Sequence, residues 1–390
     1  MKESSMSVTE ESRESPAMAD FTMPTPADRH SDVDAKHLRV ASLLREIGCD
    51  GLLVLRPENF AWMTSGSSSR STLDPAAAPA LYYSQEGRWL VCCNTETQRL
   101  FDEEVDNLGF QLKEWPWHWG RPQLLADLTQ GRKIACDAPL EGCQSIDAAL
   151  ATLRRTLSPY EIACYKALGQ LVGRTLEATG RTIAADETER EIAGQIAHRL
   201  TRHGALPVHI SVAADGRSRV YRQPAYTAVP IKQFCVMSVT ARKYGLCARA
   251  SRSISFGQPD AQFRKEHDAA CKVSATYVAS SWPDSVPQAI LASGQRIYQL
   301  VGGETEFYAC PQGHIIGRTP VELQFTPHVE ELLQNNWAVC WNVSVGAALS
   351  CDTFLITEEG PRAITAADNW PLKRIRIQGA DFVRPDLLVR

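Results

Sequence analysis

The chain has 390 residues, enough for two domains of ordinary size and a sizeable core. With 44% hydrophobic and 22% charged residues and a formal net charge of -4, it has the composition of a globular protein. Lys and Arg are spread along it rather than run together, so nothing points to nucleic acid or a membrane surface as a partner. No apolar run approaches the length of a membrane span. The twelve cysteines show no paired CxxC words at zinc spacing and no signal peptide precedes them, which reads as reduced thiols in a cytoplasmic protein.

Residues 1–33 mix Ser, Glu, Pro and Met with almost no periodic apolar positions, and read as a disordered tail. A helix is expected over 34–48, with Leu44 and Ile47 on its apolar face and Gly48 as its stop. "DGLLVL" reads as a short buried strand, "PALYYSQEGRWLVCCN" as a hairpin turning at Gln85-Glu86-Gly87, and "GRKIACD" as a further strand. This alternation makes 34–155 a smaller α/β domain. The aromatic cluster "EWPWHWG", Trp115 to Gly120, reads as packing of that domain, as a pocket mouth or as a subunit contact.

The second domain, 156–390, opens on a strong helix start: Ser158 caps, Pro159 takes the first position, Glu161 completes a capping box and Gly180 ends the helix. A second capping box, Thr188 with Glu191, starts a helix that presents Ile192, Ile196 and Leu200 on one face before Gly204. Strand-like runs follow ("PVHISVAA", "FCVMSVTA", "ARASRSISFG", "WAVCWNVSV", "DTFLITEEGPRAIT"), with helical stretches near 265–281 and 286–301. Strands in hairpins with helices outside make an α+β domain. The sequon Asn342-Val343-Ser344 falls in a strand run rather than a surface loop.

That order of elements, with its local words, resembles the creatinase and aminopeptidase P family, the pita-bread fold, over residues 36–390. "RVASLLREIGCDGLLVLRPENFAWMTSG" is similar to the family's opening helix, strand and turn, and "LSPYEIACYK" to its interdomain helix start. "GLCARASRSISFG" resembles the hairpin GYxSDxTRTxxxG, "GHIIG" at Gly313 to Gly317 resembles GHGIG, and "CDTFLITEEGPRAIT" the closing EDxxLVTExGxExLT. The resemblance implies an α+β chain, with a C-terminal pita-bread domain preceded by a smaller α/β creatinase-type N-terminal domain. It also implies a homodimer.

Active members of the family hold two divalent metals with two Asp, a His and two Glu, as hard dications require. Carried over by position, the first Asp falls on Ser238 and the second on Arg249. His314 matches the family His, and the two Glu fall on Asn342 and Cys351. A dication near the Arg249 charge would meet a penalty of about twice the ~4 kcal/mol of two unit charges ~4 Å apart at an effective dielectric near 20. No metal and no other cofactor is therefore expected. The upstream His that creatinase uses without metal falls on Tyr221. The His of the family's "HExP" word falls on Val321, with Glu322 retained beside it.

Read as one pocket, Tyr221, Ser238, Arg249, His314, Glu322, Asn342 and Cys351 are neutral to positive and rich in donors, which suits an anion such as a carboxylate or phosphate. Arg222 either joins Arg249 there or belongs, with Arg217 and Arg219, to a solvated face. Cys351 and His314 stand where two ligands of a common cluster stand in the family and could form an activated thiol-imidazole pair; a small core cysteine is the plainer reading. His314 alone can be a hydrogen-bonded core residue, and Ser238, Asn342 and Tyr221 polar fillers.

Two functions follow. In the first, the chain performs metal-independent chemistry at a C–N bond of a small carboxylate-bearing amino-acid derivative or peptide. Arg249 and Arg222 anchor, Ser238, Glu322 and Asn342 orient, and Tyr221, His314 or Cys351 acts on the bond or moves the proton. In the second, the cleft binds a peptide or partner without catalysis, as in the family's non-catalytic peptidase-like domains. A third reading keeps a metal-dependent aminopeptidase with a rearranged ligand shell.

Overall fold

The structure, a computed structural model, describes residues 22–69 and 77–390, so residues 1–21 of the expected tail lie outside the described residues. The rest of that stretch is not a tail: a helix runs from Pro26 to Ile47. Thr25 caps it, Asp28 completes a capping box and Pro26 takes the first position. The apolar period is absent there because the inner face of the helix is charged, with Asp32 and Lys36 buried beside Val33. Gly48 ends the helix at φ 65°, in the left-handed region.

Six strands, β1 (Gly51–Val54), β2 (Ala80–Ser84), β3 (Gly87–Cys93), β4 (Gln111–Trp115), β5 (Ile134–Cys136) and β6 (Gln144–Ser145), form one sheet in the order β4-β3-β2-β1-β5-β6. The β2–β3 hairpin closes through Gln85 and Glu86 with Ser84 opposite Gly87. β1 is apolar throughout because both its neighbours and both its faces are covered. Trp115 is buried at the end of β4, whereas Trp117 and Trp119 stand in solvent. The aromatic cluster is thus split between core and surface.

Both capping boxes of the second half form, starting the helices Pro159–Thr182 and Glu189–Arg202. The first runs two residues beyond Gly180. That glycine does not stop the helix; a Cβ there would lie 2.6 Å from the Trp370 ring, so it admits a close neighbour. These helices cover a sheet of β7 (Leu206–Ala214), β8 (Phe234–Lys243) and β9 (Leu246–Ser255). Tyr244 and Gly245 both have positive φ and join β8 to β9 as a two-residue hairpin.

A second sheet contains β10 (Gly313–Ile315), β11 (Leu323–Gln324), β12 (Ala338–Val345), β13 (Ala348–Thr357) and β14 (Gly360–Ala363), in the order β11-β10-β12-β13-β14. Helix Ala261–Ala279 packs on β12 and β13, with helix Pro287–Leu300 against it. β15 (Leu372–Ile377) pairs with β16 (Ala380–Pro385), and β17 (Leu388–Val389) extends the first of these sheets beside β9. The two sheets meet along β9 and β13, each with its helices on the far side. Asn342 to Ser344 lie within β12.

Candidate functional site

Period-two alternation aims one set of residues at the meeting of the two sheets. Ser238 stands in register between Ser211 of β7 and Ser251 of β9. Ser251 and Thr353 fasten β9 to β13: the Ser251 hydroxyl donates to the Leu349 carbonyl and accepts from the Cys351 amide at 2.9 Å. Thr353 accepts from the Arg249 amide and donates to the Arg249 carbonyl, both at 2.9 Å. The Arg249 backbone is therefore fixed by the neighbouring sheet, and its side chain lies between the two sheets.

That side chain enters a narrow cleft with an enclosed volume of about 30 Å³ that opens to solvent. β7 contributes His209 and Ser211, β8 Ser238, and β12 Asn342 and Ser344; the segment between β7 and β8 supplies Arg222 and Pro224. No Asp or Glu lines it among the described residues. Arg222 is already paired with Glu306 at 2.8 Å and donates to the Gly346 carbonyl at 3.1 Å. The half-buried Arg249 guanidinium makes one side-chain hydrogen bond, from Nε to the Ser238 hydroxyl at 3.5 Å. Asn342 Oδ1 is buried in the same cleft without a hydrogen-bond partner.

Four of the eight residues singled out in the sequence, Arg222, Ser238, Arg249 and Asn342, thus share one cleft. His314 and Cys351 lie deeper, behind it. Burial, with the Arg249 charge second, pushes the His314 imidazole down to about 3. Burial opposes ionisation of Cys351, but a hydrogen bond from the Cys340 thiol and the Arg249 charge outweigh it and leave its pKa lowered. The neighbour of Cys351 is Cys340, Sγ to Sγ 3.6 Å. It is not His314, so the expected thiol-imidazole pair is replaced by a thiol-thiol contact.

Neither Glu322 nor Tyr221 lines the cleft. Glu322 is buried against Arg154 of the first half, Oε2 to Nη2 2.6 Å, and accepts from the Thr319 amide. Tyr221 is 56% exposed, its ring under the Arg217 guanidinium. Arg217 and Arg219 are themselves paired, with Glu189 and Glu266. His209, which sequence reading passed over, does line the cleft, and burial and Arg249 keep its pKa low. The only signal for it was a polar ring in the alternating run "PVHISVAA".

Ser238, Arg249, His314, Asn342 and Cys351 include no carboxylate that could offset the charge of a hard dication, and no cluster of three His, Cys, Asp or Glu placed to hold a metal occurs among the described residues. Nor is any described helix long and apolar enough to cross a membrane.

The sequence profile of the metallopeptidase family M24 matches residues 163–347. No curated protein matches the chain. Among solved structures, the prolidase of Pyrococcus horikoshii superposes with a TM-score of 0.74 at 16% identity, covering 86% of this chain and 99% of that one. The X-Pro aminopeptidase of Thermotoga maritima gives 0.74 at 17% identity, with 91% and 99% covered. The N-terminal domain of FACT complex subunit SPT16 from chickpea, Cicer arietinum, gives 0.65 at 10% identity, with 87% and 96% covered. Residues 163–347 are therefore similar to the metallopeptidase family M24, in a chain with the pita-bread fold of the prolidase and X-Pro aminopeptidase structures.

Proposed function

We propose that this peptidase-like chain binds a small carboxylate-bearing amino-acid derivative or peptide in the cleft at Arg249, without a dinuclear metal centre. One observation carries the reading: a guanidinium without a carboxylate partner faces a cleft that no acid lines. A ligand carboxylate would supply the charge-assisted partner that Arg249 lacks. Ser238 and Asn342 would orient the rest of the ligand. The reading includes a cytoplasmic homodimer and a division of the chain near residue 155. Thermal-shift screening of N-acetyl amino acids and short peptides tests it, with Arg249→Ala as control. Stabilisation by carboxylates that is lost in Arg249→Ala is expected, and equal shifts in both proteins would contradict it.

His209 favours a second reading, metal-independent catalysis at a C–N bond. Its imidazole lines the same cleft, and partial loss of hydration and the Arg249 charge lower its pKa, which favours the neutral form that can accept a proton. In that reading Arg249 anchors the substrate and His209 takes the part first assigned to Tyr221 or His314. Turnover of a screening hit that is lost in His209→Gln separates the enzyme from the binder.

A further inference from the structure

Binding of a carboxylate leaves open which end of a larger ligand enters. An N-terminal ammonium would find no acid in the lining and would face the unpaired Arg249. A C-terminal carboxylate meets that guanidinium with the opposite charge. The buried, unpartnered Asn342 Oδ1 then faces a requirement of its own: it needs a donor, and the amide N–H of a terminal residue stands two bonds from its carboxyl carbon.

The mouth of the cleft supplies the rest. Val208 and Tyr221 stand next to the lining residues His209 and Arg222, and Val220 and Tyr226 each lie two positions from one; all four are exposed, Val220 to 74%. Scattered apolar residues are ordinary on a surface, but four that lie so near in the chain to the lining of one cleft suit an apolar contact there. Arg217, held by Glu189, covers the Tyr221 ring at 5.6 Å and steadies it.

We propose that the cleft captures the C-terminal end of an apolar peptide, with the terminal carboxylate on Arg249, the last N–H on Asn342 Oδ1 and the preceding side chains on the rim of Val208, Val220, Tyr221 and Tyr226. The inference rests on the carboxylate reading of the same cleft. Its occupant is the tail of a peptide or protein, entering carboxylate first.

Fluorescence anisotropy on the full chain tests it with an N-terminally labelled Leu-Val hexapeptide as free acid and as C-terminal amide, with N-acetylleucine as competitor. The free acid should bind at least tenfold more tightly than the amide, and Arg249→Met should remove that difference. Val220→Ser combined with Tyr221→Ser should weaken the peptide at least fivefold and leave N-acetylleucine unchanged, with an unaltered melting temperature as the check on folding. Equal binding of acid and amide would overturn the inference. So would N-acetylleucine binding as tightly as the peptide, which would leave the proposed function standing. Binding of neither would remove both. A rim double variant that turned a homodimer into a monomer would assign the rim to a second copy of the chain and overturn the inference as well.

Discussion

Arg249 decides the chemistry of the site through the groups it faces. After loss of hydration, its charge is the next cause that lowers the pKa of His209 and His314, and it helps the Cys340 hydrogen bond to lower that of Cys351. His314 gives a pH test. Folded, it titrates near 3; unfolded, near its ordinary 6.5. The stability linked to its burial is complete above pH 6.5 and is lost as the pH falls towards 3, because the unfolded state then binds the extra proton. Denaturant midpoints between pH 7 and 4 should fall less steeply in His314→Gln than in the unaltered protein, and parallel slopes would contradict the buried, neutral imidazole. Cysteine labelling gives another. Cys310 is half-buried and lines the cleft, whereas Cys351 is buried behind it. Brief iodoacetamide treatment of the folded protein should therefore modify Cys310 before Cys351 by peptide mass spectrometry, and a bound carboxylate ligand should slow it; Cys351 reacting first would refute the placement. That Arg249, Ser238 and Asn342 share one cleft was legible because each stands at a fixed place in a local word that resembles the family's. Glu322 was misread because its partner, Arg154, lies 168 residues away, a separation that no local pattern records.

Among elements, helices and hairpins were the most legible because their signals are local. Ser158 with Glu161, Thr188 with Glu191, and Gln85-Glu86-Gly87 each fix a start or a turn within four residues. Glycines were less so, since a helix stop and a close approach leave the same letter. Gly180 is the case in point: the helix continues through it because Trp370 occupies the space of its missing side chain. Gly313, the first glycine of "GHIIG", does the same for Trp341, which would lie 2.4 Å from a Cβ there. Gly180→Ala should destabilise by overpacking, by roughly 1–3 kcal/mol, rather than stabilise through better helix propensity. Urea unfolding checks the sign, and a more stable variant would mean that Trp370 can give way.

In the whole molecule, buried ion pairs join the two halves. Lys36 of the first helix meets Glu161 at 2.8 Å, Arg318 shares that carboxylate, and Arg154 holds Glu322. Burial alone would raise the Glu161 pKa, but Lys36 and Arg318 outweigh it and hold the carboxyl at about 2. Removing one partner of such a pair strands the other, so Arg154→Met should cost roughly 3–5 kcal/mol. Calorimetry should show the loss at neutral pH, and an unchanged melting temperature would mean that Glu322 finds another partner. The overall architecture was legible because five words stand in a fixed order; the join between halves was not, because its charges come from segments far apart in the chain. Centrally, we propose that the cleft at Arg249 takes an anion and holds no dinuclear metal centre. Metal analysis of the full-length protein, equilibrated with manganese, cobalt and zinc and then desalted, tests it most directly. The account predicts well under one equivalent bound per chain, and two equivalents would contradict it.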